Sequence, residues 1–258
     1  MIARLFNEQR PLLIAGLTAL AAFLILAVVS LFDPTEILGI NRWIKPMKFF
    51  ISFALFFWTI ALFLSFLSGR DRFSRFISWG FITIYVIEMF IIVLQAARGT
   101  TSHFNVEEPF DAILYAVMGI AIAVSTVFTA AILYLHFKDR VDLPWAVVWG
   151  IRLGLIVFLA GSFEGGYMAA QIGHGVGVKD DGAGLPLTNW STGGGDLRVA
   201  HFLGLHAIQA VPLFAYTLDK MKTSSAIVLT FLFAVSYFAV FSALFIQALM
   251  GRPALAGF

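Results

Sequence analysis

The chain has no cysteine, which excludes disulfides, thiolate metal ligands and thiol nucleophiles. Charge is scarce as well. Asp, Glu, Lys and Arg make up 12% of the 258 residues, where a soluble domain carries about a quarter. The net charge is +2, and no basic cluster exceeds three arginines, so there is no nucleic-acid footprint. Low-complexity tracts, linkers and an internal duplication are also missing. A single transmembrane domain over residues 1–258 is therefore expected.

What the chain has in excess is apolar surface. Hydrophobic residues make up 60% of the sequence and the mean hydropathy is +0.91. One soluble core could not bury this much, so lipid must solvate part of it. Seven runs, near 11–32, 49–68, 77–97, 111–137, 144–164, 199–218 and 224–250, meet the length of about 20 residues that a bilayer span requires. Backbone amides in hydrocarbon must pair within their own segment, so the runs are expected to be helices. They are continuous rather than alternating, which is not the pattern of a β-barrel. The expected fold is an all-α, seven-helix integral membrane bundle. Arg4 and Arg10 precede the first run as in a signal peptide, but the run is too long for that and reads as an uncleaved span.

Orientation follows from the cationic residues of the short loops. With the N-terminus inside, the inner segments hold nine Lys and Arg residues and the outer ones seven. The inner loops are short and charged. The outer ones are longer and rich in Gly, Asn, Thr and Trp. The longest, 165–197, is expected to fold back over the mouth of the bundle with Trp190. The N-terminus is placed inside and the C-terminus outside.

Two groups of polar residues stand where they are costly. Glu88 lies in the third span and Arg152 in the fifth, at roughly 16 and 12 Å from the inner boundary at 1.5 Å per residue. An isolated charge there costs roughly 3 kcal/mol, so an ion pair between them is expected, as a proton relay, a ligand counter-ion or a packing device. The second group opens the sixth span. At about 100° per residue, with Arg198 at zero, Gln209 falls at about 20°, His206 at about 80° and His201 at about −60°. They should share one face, with Asp196 capping the helix. Pro212 should free the carbonyl of Ile208 and kink the span.

At the same outer level the sequence places Glu164, His174, His103 and Asn105, with Gln95 and Arg98 at the end of the third span. Four of the five histidines thus converge on one side, and His136 alone is expected at the inner interface. Imidazole suits Zn, Cu and Fe, and a haem takes one or two axial histidines. His103, His174, His201 and His206 are therefore candidate ligands for haem or a transition metal. Arg42, Lys45, Arg98 and Arg198 are candidates for binding a propionate or another anion. Glu164, His201 and His206 are candidate acid–base groups. His201 and His206 are five residues apart, so their spacing matches no paired-ligand motif.

The segments WIKPMKF at 43–49, RGTTSHFN at 98–105 and GDLRVAHFLGLH at 195–206 resemble a family of bacterial polytopic membrane proteins known only as hypothetical proteins. The resemblance covers nearly the whole chain. It implies a multi-pass protein of the bacterial inner membrane, and no activity or cofactor comes with it. Rhodopsins are set aside because the last span has no Lys, and ceramidase-type hydrolases because it has no His.

The sequence leads to a membrane enzyme or redox protein with an outward His/Arg/Glu pocket. Its partners would be the bilayer and an anionic lipid or small molecule, with no nucleic acid. A transporter or sensor using Glu88, Gln95, Arg152 and Gln209, and a subunit of a larger complex, are the alternatives.

Overall fold

The computed structural model describes residues 2–180, 182 and 184–254. Among these described residues seven helices are long and apolar enough to cross a membrane, as expected of a multi-pass all-α membrane protein. A short helix, α1 (Ile2–Glu8), precedes them. The spans are α2 (Arg10–Phe32), α3 (Ile44–Ser65), α4 (Asp71–Arg98), α5 (Pro109–Lys138), α6 (Trp145–Ala170), α7 (Leu197–Lys220) and α8 (Ala226–Leu249). Leu31, Phe32 and Phe163 are 79%, 82% and 75% exposed, surface that only a lipid phase solvates without penalty. The chain divides into two compact units, Met1–Phe128 and Thr129–Phe258.

In the first unit α2 packs on α3, and α3 on α4. Gly16 allows the first contact, because a Cβ there would lie 2.2 Å from the Trp58 indole nitrogen. Between α2 and α3 a two-strand hairpin pairs β1 (Glu36–Ile37) with β2 (Ile40–Asn41). Its two turn residues, Leu38 and Gly39, both take positive φ, as a tight primed turn requires. Asp33 fastens the hairpin to α3 by accepting from the Trp43 indole at 2.8 Å and pairing with Arg42 at 2.5 Å. Contacts from Thr35, Arg42 and Trp43 outweigh burial and hold its carboxyl well below the usual range. The α3–α4 core is aromatic, with Tyr85 edge-on to Phe53 and Phe57 at 5.1 Å each.

In the second unit α6 and α7 cross at glycine. A Cβ on Gly161 would meet the Gly204 backbone at 2.9 Å, and one on Gly154 the Ala207 carbonyl at 2.8 Å. Pro212 does not end α7, and its ring lies against Gly154. The fifth span is longer than the sequence suggests, because Gly165 and Gly166 do not stop it and α6 runs to Ala170. The segment after it carries a ladder of its own, β3 (Gly175–Val176) against β4 (Gly195–Asp196). Gly195 lets this ladder sit directly on the end of α8, where a Cβ would be 2.0 Å from the Ala248 carbonyl.

Candidate functional site

The end of the second unit formed by the C-terminus of α6 and the N-terminus of α7 gathers the densest polar group. Asp196 is the N-cap of α7 and is 2% exposed. Its Oδ1 accepts from the Arg198 backbone at 3.0 Å and Nε at 2.9 Å, while Oδ2 accepts from the Ser191 backbone at 2.8 Å. Burial raises its pKa, but the Arg198 contacts, Ser191 and His174 outweigh it and leave the carboxyl below its ordinary value. Arg198 also donates to the Asn189 carbonyl, so the guanidinium ties the loop to the helix start.

His174 sits between two carboxylates, its Nδ1 3.2 Å from Asp180 and 3.7 Å from Asp196. Asp180, which carries no signal in the sequence, accepts from the backbone of His174 at 2.8 Å and of Gly175 at 2.7 Å. The His174 carbonyl accepts from Leu197 at 3.0 Å, which locks the loop to the first residue of α7.

One turn further in, His201 meets Glu164. The imidazole Nδ1 is 2.9 Å from the Gly161 carbonyl and 3.3 Å from Glu164 Oε2. A carbonyl only accepts, so Nδ1 carries the proton and Nε2 is the basic nitrogen of the neutral ring. The His201 side chain is 28% exposed and that of Glu164 is 3% exposed. Neither Glu164 oxygen accepts a well-formed hydrogen bond among the described residues. The α6–α7 glycine crossing makes this meeting possible: the imidazole lies where a Cβ on Gly165 would be, 2.6 Å from Cε1.

His206 does not join this pair. Its ring stacks 4.3 Å from Phe202, which in turn meets Trp190 at 5.8 Å. Of the residues expected on one face of α7, His206 and Gln209 stay together through a side-chain hydrogen bond, while His201 turns to Gly161 and Glu164. Beside Trp190 lies a cavity of about 180 Å³ lined by Leu185, Ser191, Val199, Leu244 and Ala254.

Of the expected four-histidine ligand set, His103 lies in the first unit and His174, His201 and His206 lie in the second. Among the described residues no group of three or more His, Asp or Glu side chains is placed to hold a metal ion. His174, His201 and His206 each meet a different neighbour. His174 faces Asp180, His201 faces Gly161 and Glu164, and His206 faces Phe202. In the first unit, His103 packs 5.5 Å from Phe49 with Ser102 3.1 Å from its Nδ1. The expected anion-binding arginines are likewise engaged. Arg42 pairs with Asp33, Arg198 with Asp196, and Arg98 with Asp111, so an anion bound there would share each guanidinium with a carboxylate. Asp111 also accepts from Gln95 at 2.9 Å and Asn105 at 3.1 Å.

Arg152, the expected partner of Glu88, is engaged within the second unit. Its Nε and Nη2 donate to the His136 carbonyl at 3.0 and 2.7 Å, and its guanidinium lies over Phe137 and Trp149. His136, expected at the interface, is fully buried (0% exposed). Glu88 belongs to the first unit, where it is 1% exposed and feels the field of Lys45.

No protein-family model matches the chain, no curated protein matches it, and no solved structure matches it.

Proposed function

We propose that this is a bacterial inner-membrane enzyme that performs acid–base chemistry on an amphipathic substrate, with Glu164 and His201 as its working pair. One observation carries the reading. A carboxyl almost fully buried in the last turns of a membrane span has both oxygens short of hydrogen bonds and lies against an imidazole whose basic nitrogen is directed elsewhere. Burying such a group without full pairing is unfavourable, and that makes it a functional candidate.

The division of labour follows from the tautomer. The Gly161 carbonyl and Glu164 orient the ring through Nδ1 and stabilise the imidazolium, and Nε2 takes a proton from a substrate hydroxyl or a water. An amphipathic substrate is favoured because the pair stands where a span meets the polar loop, and the same end of the unit holds the largely apolar cavity beside Trp190. The bacterial inner membrane follows from the family resemblance of the sequence.

The test is to incubate the purified protein in liposomes of bacterial polar lipid and follow the extract by mass spectrometry. The wild type is expected to convert a lipid species, and Glu164→Gln and His201→Asn to slow that conversion by about 100-fold or more, the usual scale of general acid–base catalysis. An extract left unchanged by the wild type, or converted equally fast by both variants, overturns the reading.

A further inference from the structure

The first unit contains a second set of costly polar groups, independent of the Glu164 site. Ser74, Ser78, Tyr85, Glu88 and Gln95 follow one another on α4 at steps of four, seven, three and seven, with Phe81 and Ile92 in the two gaps. This alternation of three and four keeps all of them on one helix face. That face is buried throughout: Tyr85, at 7%, is the most exposed of the seven, and Gln95 is at 0%. From Ser74 to Gln95 the stripe covers 21 residues, or about 31 Å at 1.5 Å per residue, close to the full hydrocarbon thickness of about 30 Å.

The two ends of the stripe join further polar groups. At one end Gln95 donates to Asp111, which is paired with Arg98 near the close of α4. At the other, the Ser78 hydroxyl lies 2.9 Å from the buried amide of Gln9 and 2.7 Å from the Ser74 carbonyl. A stripe serving only to fix packing would be expected to satisfy its members. Here Glu88 Oε1 and Ser74 Oγ accept or donate no hydrogen bond among the described residues.

We infer that α4 carries protons across the membrane, with the Glu88 carboxyl as the midpoint group that takes up and releases them. A proton arriving from the Gln95–Asp111 end would bind the Glu88 carboxylate and neutralise it, the form that tolerates burial. Loss of that proton toward Tyr85 and the Ser78–Ser74 end restores the carboxylate. No bond other than O–H forms or breaks, and no co-reactant is needed.

The charged and titratable surroundings fit this role. Lys45 of α3 is the cation whose field reaches Glu88. The only other ionisable group of α3 is Lys48, and beyond Arg10 α2 has none. The first-unit part of α5 brings Asp111, held by Arg98, and Tyr115. Among the described residues no group of three or more His, Asp or Glu side chains is placed to hold a metal ion, whereas a proton needs only the one carboxyl. Phe81 and Ile92 interrupt the stripe, so transfer requires side-chain rotation past them. The path is that of a slow carrier, not an open pore.

The test uses the full chain in liposomes containing a pH-sensitive dye, with a potassium diffusion potential set by valinomycin. Wild-type liposomes should change internal pH several-fold faster than protein-free ones. Glu88→Gln, of nearly identical shape, should fall to the protein-free rate. Glu88→Asp should retain part of the flux, and Glu36→Gln, an exposed carboxylate, all of it. Folding of each variant is checked by monodispersity and helical circular dichroism. If Glu88→Gln does not yield folded protein, Ser78→Ala decides in its place, with reduced flux expected. Wild-type flux no faster than protein-free liposomes, or full flux in Glu88→Gln or in folded Ser78→Ala, overturns the inference. A failure of lipid conversion leaves this result untouched, because Glu164 and Glu88 are assayed separately.

Discussion

Asp196 shows what a single side chain holds together in this protein. It caps α7, pairs with Arg198, accepts from Ser191 in the returning loop and faces His174. Its folded-state pKa lies below the ordinary carboxylate value of about 3.9. A depressed carboxylate contributes stability that is present above the unfolded pKa and is lost as pH falls through the folded one. Asp196→Asn should therefore lower stability by roughly 2 kcal/mol at pH 7, the scale of a charged hydrogen bond lost from a buried site. The deficit relative to wild type should shrink below about pH 4. Thermal unfolding in mild detergent at both pH values checks this, and a deficit independent of pH would sink it. An aspartate two residues before an arginine at a helix start could be read from the sequence as a cap. Asp180 could not, because only the β3–β4 ladder brings its carboxylate to the His174 and Gly175 amides.

At the level of elements, the α6–α7 crossing decides where the candidate site can form. Gly161 stands against Gly204 at a distance that leaves no room for a methyl group. Gly161→Ala should force the helices apart and destabilise the protein by about 1–3 kcal/mol, the range for overpacking a close contact. Gly166, five residues on, has nothing within 4 Å of where a Cβ would stand and lies in the same helix. Gly166→Ala should be neutral or stabilising by up to about 1 kcal/mol, because alanine is the better helix former. Opposite shifts of the melting temperature, read by circular dichroism, are the expected outcome, and equal shifts would refute the crossing as the cause. The glycines were visible in the sequence as permitting close packing. That Gly165 and Gly166 continue the helix to Ala170 was not, since glycine alone does not fix whether a helix stops.

At the scale of the whole molecule, the absence of cysteine turns topology into a direct measurement. Lys179 and Ser224 are both exposed, one in the long loop and the other between α7 and α8. The bias of lysine and arginine in the short loops predicts that the first lies outside and the second inside. A membrane-impermeant maleimide applied to intact cells should label Lys179→Cys and leave Ser224→Cys unlabelled until the membrane is opened. The reverse pattern would invert the molecule and put the Glu164–His201 pair on the inner face.

The number, type and approximate extent of the spans were determined by the sequence alone, because hydrocarbon admits only long apolar segments with internally paired backbones. Its composition likewise excluded thiol chemistry. Pairing among the polar residues was decided only by the tertiary structure. Helical angles put His201 and His206 on one broad face and Arg152 level with Glu88. Which neighbour each side chain meets depends instead on where the next helix approaches, and glycine sets that approach. Gly161, Gly165 and Gly204 bring His201 to Glu164, and the carbonyl of His136 takes up Arg152. The α4 stripe belongs to both levels. Its spacing of three and four is written in the sequence, but only the tertiary structure buries it from end to end, where water can no longer satisfy it.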